Sequence, residues 1–247
     1  MRLAVISDVH GNRLALEAVL ADIARQGVDL TVNLGDLVSG PLEPAAAAEL
    51  LMAAAMPTVR GNHERGLNEV AKGAPDPVDD FARAALSPRQ LDWLRALPAT
   101  LVVEDEIFLC HGTPASDIEP WLDDWWNGRE TTMPDEDEVT AKAFGVACPV
   151  MLCGHTHLAR AVRLRDGRLI VNPGSVGLQL NHGSPDARYA LLERRGADWF
   201  VGLRSVPYDH HGAARQAIAN GFPRWAEALA TGWAGPEGLF GGEPLSA

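Results

Sequence analysis

Seven polar side chains that can bind metal ions directly follow short apolar runs in this 247-residue sequence. They are two carboxylates, one amide and four imidazoles: Asp8, His10, Asp36, Asn62, His111, His155 and His157. Oxygen and nitrogen donors without a thiolate suit manganese, iron, zinc or nickel better than magnesium or calcium. The set is too large for one catalytic ion and suits two, with Asp36, the middle residue, as the natural bridge. We therefore expect two divalent transition-metal ions, with manganese as the first choice.

The apolar runs before these side chains predict β-strands that alternate with helices. Residues 3–6 and 30–34 are β-rich, whereas 14–26 has helical apolar spacing and 44–56 is rich in alanine. Strand–helix–strand repeats of this length predict parallel strands joined by right-handed crossovers. Because open α/β sheets bind ligands beyond the carboxyl ends of their strands, we expect the polar side chains to converge there.

The second half of the chain predicts a series of short strands separated by turn signals. The expected strands are 101–103, 107–110, 150–153, 161–164, 169–171, 189–192 and 200–206. This pattern favours a meander that forms a second sheet packed on the first. Helices are expected within 66–97 and 212–230. Together, the order of strands and helices predicts an α/β protein with a single domain over 1–231 and a Gly- and Pro-rich tail over 232–247.

Residues 115–147 form an acidic insertion whose irregular part contains Trp121, Trp125 and Trp126. Long loops in compact domains are often functional, so this segment is a candidate lid over an active site. The alternative is a surface excursion whose tryptophans pack back on the body, and the sequence does not separate the two. The acidic run 135–138 is interpreted as the first turn of a helix, where carboxylates complement the helix dipole.

The composition is typical of a cytoplasmic globular protein. The net charge of −12 repels polyanions such as duplex DNA, so nucleic acid is not an expected partner. No apolar run reaches the roughly 18 residues of a membrane span, and we expect neither a membrane partner nor a signal peptide. The three cysteines are interpreted as small apolar residues beside strands rather than as metal ligands. The sequence leaves the formation of a homo-oligomer open.

Five blocks of residues, taken in order, resemble the calcineurin-like metallophosphoesterase superfamily. They are Asp8-Val9-His10, Gly35-Asp36, Gly61-Asn62-His63-Glu64, His111-Gly112 and Gly154-His155-Thr156-His157. The segments Asn172-Pro173-Gly174-Ser175 and Val206-Pro207-Tyr208-Asp209 resemble the small bacterial phosphodiesterase branch often called the YfcE type. The resemblance covers nearly the whole chain and implies a four-layer α/β/β/α sandwich of two mixed β-sheets flanked by helices.

The resemblance also implies a role for each matching residue. Asp8, His10 and His157 would hold the first metal ion. Asn62, His111 and His155 would hold the second, and Asp36 would bridge the two. The metal pair would activate a water as hydroxide to attack phosphorus, while His63, which is not a ligand, would donate a proton to the leaving group.

Two further residues are candidate substrate contacts. Asn12 either touches the substrate phosphate or caps the helix that begins near residue 13, and the cap is favoured. Arg60 either contacts phosphate or is a solvated arginine at a strand end, with equal weight given to each.

The expected substrates are small phosphodiesters, phosphomonoesters or both. A non-catalytic scaffold of the same fold is the first alternative, although such proteins have usually lost ligands that this chain retains. A nuclease or protein phosphatase is the second. Residues 37–40 lack the Asp and Arg that follow the Gly-Asp block in the Ser/Thr protein phosphatases, so that activity is not expected.

Overall fold

The computed structural model describes residues 1–68, 76–123, 131–180, 183–233 and 239. The strands of these residues are β1 Arg2–Ile6, β2 Leu30–Asn33, β3 Leu101–Val103, β4 Ile107–Leu109, β5 Val150–Leu152, β6 Arg160–Arg163, β7 Leu169–Asn172, β8 Ala187–Arg195 and β9 Asp198–Val206. The helices are α1 Arg13–Gln26, α2 Pro44–Ala54, α3 Asn62–Asn68, α4 Pro77–Ala85, α5 Pro88–Ala96, α6 Glu136–Lys142, α7 His210–Ala219 and α8 Pro223–Thr231. Trp125, Trp126 and most of the 232–247 tail lie outside the described residues.

The strands form two mixed sheets, which confirms the predicted fold class. The first sheet has the order β2-β1-β8-β9, and the second has the order β3-β4-β5-β7-β6. β1 and β2 are parallel, with Val5 opposite Val32, as the strand–helix–strand repeat predicted. β4, β5 and β7 are also parallel to one another.

The predicted meander is wrong in its connections. After β7, the chain leaves the second sheet and returns to the first, where β8 pairs antiparallel with β1 and β9 pairs with β8. The first sheet therefore joins β1 to a strand that is distant in sequence, although consecutive strands pair in both sheets. Turn signals identify where strands end, but they do not say which strand each one pairs with.

The core lies in layers on both faces of each sheet. Leu3 and Val5 of β1 pack between the sheets against Leu109 and Leu152, while Ile6 faces the helices on the opposite side. A strand buried on both faces explains why this run is continuously apolar. Burial of each large aliphatic side chain contributes roughly 1.5–3 kcal/mol, so the strands are firmly anchored.

The acidic insertion covers the outer face of the second sheet. Trp121 is fully buried there, and its Nε1 donates a hydrogen bond to the carbonyl of Val139 at 3.0 Å. Asp135 begins α6 with a capping box to Glu138, as expected for the acidic run. At Trp121 the segment therefore packs back on the body, and its action as a lid stays a prediction.

None of the helices in the described part of the chain has the length and apolar character that a bilayer crossing requires.

Candidate metal centre

The seven predicted ligands meet at the carboxyl ends of the parallel strands. Their donor atoms form two groups, each with all atoms within 4.8 Å of one another. One group is Asp8, His10 and His157, and the other is Asp36, His111 and His155. The amide oxygen of Asn62 lies 3.1 Å from Nε2 of His111 and so adjoins the second group. The structure thus brings together all the residues that the sequence placed after strands.

Asp36 lies between the two groups. Its Oδ2 is 3.0 Å from Nε2 of His111 in the second group and 4.0 Å from Nε2 of His10 in the first. A carboxylate shared by two cations has to occupy such a position. Asp36 therefore lies where both donor groups can reach it, and its bridging role stays a prediction.

Hydrogen bonds to the backbone orient three of the four imidazoles in the same way. The Nδ1 of each ring lies within hydrogen-bonding distance of a carbonyl oxygen: His10 with Ser39 at 2.7 Å, His111 with Leu34 at 2.7 Å and His157 with Leu178 at 2.8 Å. A proton held on Nδ1 leaves the lone pair of Nε2 directed into the site, which is the usual arrangement for metal-binding histidines. His155 is reversed, because its Nε2 lies 3.1 Å from the carbonyl of Ile118.

Several buried atoms of the first group need a cation. Nε2 of His10 lies 3.1 Å from Nε2 of His157, and each ring already uses Nδ1 at the backbone. Two lone pairs at that separation repel unless a positive charge lies between them. Oδ1 of Asp8 is fully buried, finds no hydrogen-bond donor among the described residues and lies 3.3 Å from Nε2 of His157. Because buried charges require compensation, this donor set fits a divalent metal ion.

The electrostatics of the second group follow from a buried carboxylate. Burial alone raises the pKa of Asp36, but the neighbouring His111 and His63 outweigh burial and hold the pKa well below its usual range. In return, the carboxylate of Asp36 overcomes the burial of His111 and raises the pKa of that ring to about 10. The carboxylate of Asp36 is therefore held in its charged form beside the imidazole of His111.

The pKa of His10 and that of His155 shift in the opposite direction. Burial, reinforced by His157, lowers the pKa of His10 to about 4, and burial, reinforced by His111, lowers the pKa of His155 to about 4. Both rings are therefore neutral at physiological pH, which is the protonation state that metal binding requires.

Five of the predicted ligands have left-handed backbone conformations. Their φ angles are 55° at Asp8, 49° at His10, 54° at Asp36, 67° at His155 and 60° at His157. Asp and His tolerate this region better than bulkier residues do, but each such residue still costs on the order of 1 kcal/mol. All five residues lie in loops that follow strands and contribute donor atoms to the two groups.

Two glycines allow the carboxylates to approach the backbone. A Cβ atom on Gly61 would overlap Oδ1 of Asp36 and stand 2.8 Å from its Cγ and its backbone nitrogen. A Cβ atom on Gly154 would overlap the hydroxyl of Ser7 and stand 2.8 Å from Oδ2 of Asp8. These contacts explain why glycine precedes Asn62 and His155 in the motif blocks.

Glu64 supports the site, a role that sequence reasoning missed. Its Oε2 accepts hydrogen bonds from the backbone N–H groups of Asp36 and Gly61, and its Oε1 accepts one from Leu37, all at 2.8 Å. The side chain is fully buried, and burial, with the nearby charge of Asp36, raises the pKa of Glu64. The carboxylate joins two loops that carry ligands. The signal for this role is its place in the Gly-Asn-His-Glu block.

His63 lies at the edge of the metal centre and has a carboxylate partner. Its ring centroid is 5.3 Å from that of His10, and its Nδ1 is 2.8 Å from Oδ1 of Asp79. Burial alone lowers the pKa of His63, but Asp36 and Asp79 outweigh burial and raise it to about 9. The carboxylate that residues 37–40 lack is thus supplied by α4, where no local sequence signal pointed to it.

Neither of the two candidate substrate contacts belongs to the described residues that line the site cavity. Asn12 caps α1, as favoured: its Oδ1 accepts a hydrogen bond from Ala15, and its Nδ2 donates to Gly177 and Tyr208. The side-chain amide of Asn12 is therefore engaged in hydrogen bonds within the protein. The Nε of Arg60 is buried and finds no acceptor within the described residues.

The cavity over the metal centre has a volume of about 310 Å³. The polar and ionisable residues of its lining are His10, Asp36, Asn62, His63, Asp76, His155 and His157. The apolar residues are Leu178, Leu180 and Leu239. A cavity of this size is typical of a small-ligand site.

A comparison with family models matches residues 1–196 to the calcineurin-like phosphoesterase superfamily domain. Among curated proteins, MJ0912 of Methanocaldococcus jannaschii is 28% identical over 250 residues, a match that covers 90% of this chain and 94% of that protein.

Two solved structures resemble the whole fold. A metallophosphoesterase from Sphaerobacter thermophilus is 26% identical with a TM-score of 0.75, covering 94% of this chain and 100% of that one. The protein PH1004 from Pyrococcus horikoshii is 20% identical with a TM-score of 0.76, covering 95% of this chain and 99% of that one. The second likeness concerns the fold alone.

Proposed function

Because the chain belongs to the calcineurin-like phosphoesterase superfamily, as its motif blocks predicted, we propose that it is a metal-dependent hydrolase of small phosphate esters. The substrates are phosphodiesters, phosphomonoesters or both. The similarity to the Sphaerobacter thermophilus metallophosphoesterase supports this proposal. So does a cavity of about 310 Å³, a volume typical of small-ligand sites.

One observation carries the proposal: two groups of buried donors that adjoin through Asp36 and need positive charge. Its clearest part is the opposed nitrogens of His10 and His157 and the buried Asp8 oxygen, which has no hydrogen-bond donor among the described residues. We assign Asp8, His10 and His157 to a first metal ion, and Asn62, His111 and His155 to a second, with Asp36 shared. The nitrogen and oxygen donor set favours manganese, with iron, zinc or nickel as alternatives.

When bound, such a metal pair lowers the pKa of a water and neutralises charge on the phosphate. The residues of the chain supply the rest. Glu64 holds the loop of Asp36 against the loop of Gly61, so that ligands from two loops keep their spacing. His63, which lines the cavity beside the metal centre, donates a proton to the leaving oxygen as its bond to phosphorus breaks.

The test combines metal analysis with turnover. Chelator-treated protein is reloaded with manganese, and bound metal is measured beside hydrolysis of bis-p-nitrophenyl phosphate and p-nitrophenyl phosphate. We expect two ions per chain and release of nitrophenol that chelator abolishes. On phenyl esters, whose leaving oxygen needs a proton, His63→Ala should lose about 100-fold or more in turnover while both metal ions remain. His211→Ala, which removes an exposed histidine of α7, is the matched control.

The proposal fails if the reloaded protein binds no metal above the chelator-treated sample and releases no nitrophenol. A protein that stays folded and metal-free under these conditions would favour the scaffold alternative instead. Loss of metal from His63→Ala would make His63 a ligand rather than a proton donor.

A further inference from the structure

Asp79 contacts His63 from a different helix. Its Oδ1 lies 2.8 Å from Nδ1 of His63, and the side chains of Asp79 and His63 are only 11% and 12% exposed. The carboxylate comes from the first turn of α4, whereas His63 lies in the first turn of α3. An ion pair this sheltered from water is worth more than a surface pair, because solvent screens it less.

The packing of α4 on α3 fixes this contact. Arg83 of α4 donates hydrogen bonds from Nε to the carbonyl of Leu67 and from Nη2 to that of Gly66, both at 3.2 Å. A Cβ atom on Gly66 would stand 2.7 Å from Oδ2 of Asp79, so glycine at 66 leaves room for the carboxylate. The two helices are therefore held in the register that places Asp79 beside His63.

A simpler explanation for Asp79 is favourable interaction with the dipole of α4, which any carboxylate of the first turn provides. Asp80, the next residue, is an example of a first-turn carboxylate that, among the described residues, interacts only with its own helix. It is 56% exposed and pairs with Arg83 of its own helix. Asp79 instead points out of its helix toward α3 and is nearly buried. The dipole therefore explains Asp80 and leaves the direction of Asp79 unexplained.

We propose that Asp79 is a positioning residue, which holds the imidazole of His63 so that Nε2 delivers a proton to the leaving group. The inference rests on the proposed function. The Oδ1 atom of Asp79 accepts a hydrogen bond from Nδ1–H, so the proton to be transferred is the one on Nε2. As the bond from phosphorus to the leaving oxygen breaks, that oxygen takes the Nε2 proton, and the neutral ring regains a proton from solvent.

The test uses manganese-loaded protein and esters that differ only in their leaving group. Asp79→Asn keeps the shape of the side chain and removes its charge. With phenyl or alkyl esters, which need a proton on the leaving oxygen, we expect turnover to fall about 10- to 100-fold with little change in KM. With p-nitrophenyl esters, whose leaving group needs little help, the loss should stay within about 3-fold. Asp80→Asn is the matched control and should behave as wild type on both.

The double variant separates positioning from a general structural role. If Asp79 acts through His63, Asp79→Asn should cost nothing further in a His63→Ala background. A structural residue would add its own loss in that background. Metal content has to be measured in Asp79→Asn, because His63, Asp76 and Asp79 form a third donor group within 4.8 Å. If Asp79 only positions His63, the content should remain at the wild-type value. Loss of an ion would make Asp79 a ligand and overturn the proposal.

Proton NMR gives a readout that does not depend on turnover or on any Asp79 variant folding. In zinc-loaded wild-type protein, His63 should show a downfield Nδ1–H resonance, assigned by its absence in His63→Ala. A ring protonated only on Nε2 would overturn the proposal, as would equal losses on good and poor leaving groups. These outcomes differ from failure of the proposed function, in which wild-type protein hydrolyses none of the esters.

Discussion

Gly61→Ala tests how tightly the metal centre is built. The added methyl group would overlap Oδ1 of Asp36 and stand 2.8 Å from two more atoms of that residue. The carboxylate must then move, which disturbs the hydrogen bond that it accepts from the backbone of His63 at 3.1 Å and the one that Gly61 donates to Glu64 at 2.8 Å.

The size of the effect follows from the cost of overpacking. Extra carbon atoms in a packed region destabilise proteins by about 1–3 kcal/mol. For a chain of this length, each kcal/mol lowers Tm by roughly 2–4 °C, so Gly61→Ala should lower Tm by about 2–12 °C. The measurement is calorimetry in chelator, so that weaker metal binding does not contribute.

Gly202→Ala is the control. Gly61 and Gly202 both lack a left-handed φ, so the two substitutions differ in the space around the added methyl group. The nearest atom to a Cβ atom on Gly202 is the carbonyl oxygen of Leu191, at an ordinary 3.8 Å. Its Tm should equal that of wild type or rise, since alanine reduces the freedom of the unfolded chain. If Gly61→Ala and Gly202→Ala unfold within 1 °C of each other, about the uncertainty of a Tm, the packing argument is wrong.

Two further variants test the shared ligand and a network outside the site. Asp36→Asn should weaken both metal ions together, and elemental analysis that finds a single ion lost would show that Asp36 is not the bridge. The Tyr189 hydroxyl, with Arg25 and Arg204, lowers the pKa of Asp22 below its ordinary value of 3.8. The carboxylate therefore stabilises the fold above the unfolded pKa, and this contribution is lost as pH falls through the folded pKa. Asp22→Asn should lower the urea midpoint at pH 7, and its difference from wild type should begin to shrink below about pH 4 and vanish only as pH falls through the lower folded pKa; a constant difference would refute this.

The convergence of the ligands was predictable because it depends on local pattern and one rule of topology. Asp8, Asp36, His111 and His155 each follow an apolar run, and parallel strands bring their carboxyl ends to one edge. The superfamily follows from the same blocks and is confirmed by the family match. The helix cap at Asn12 was equally accessible, since capping depends on the next three residues.

Contacts between distant segments were not predictable in this way. The pairing of β8 with β1 joins strands more than 180 residues apart, and no local signal marks the partner. The same holds for Asp79, whose sequence position is that of an ordinary carboxylate at a helix start. The reversed ring of His155 depends on the carbonyl of Ile118, a loop atom whose position only the packed fold determines.

The five left-handed ligands mean that the metal centre lies on backbone conformations that the surrounding packing and hydrogen bonds must maintain. At roughly 1 kcal/mol each, their combined cost is comparable to the lower end of a protein's whole net stability of about 5 kcal/mol. The apolar cores on the faces of the sheets offset this cost in the free energy of unfolding. Substitutions in those cores should therefore bring this chain nearer to unfolding than they would bring a protein without the left-handed residues.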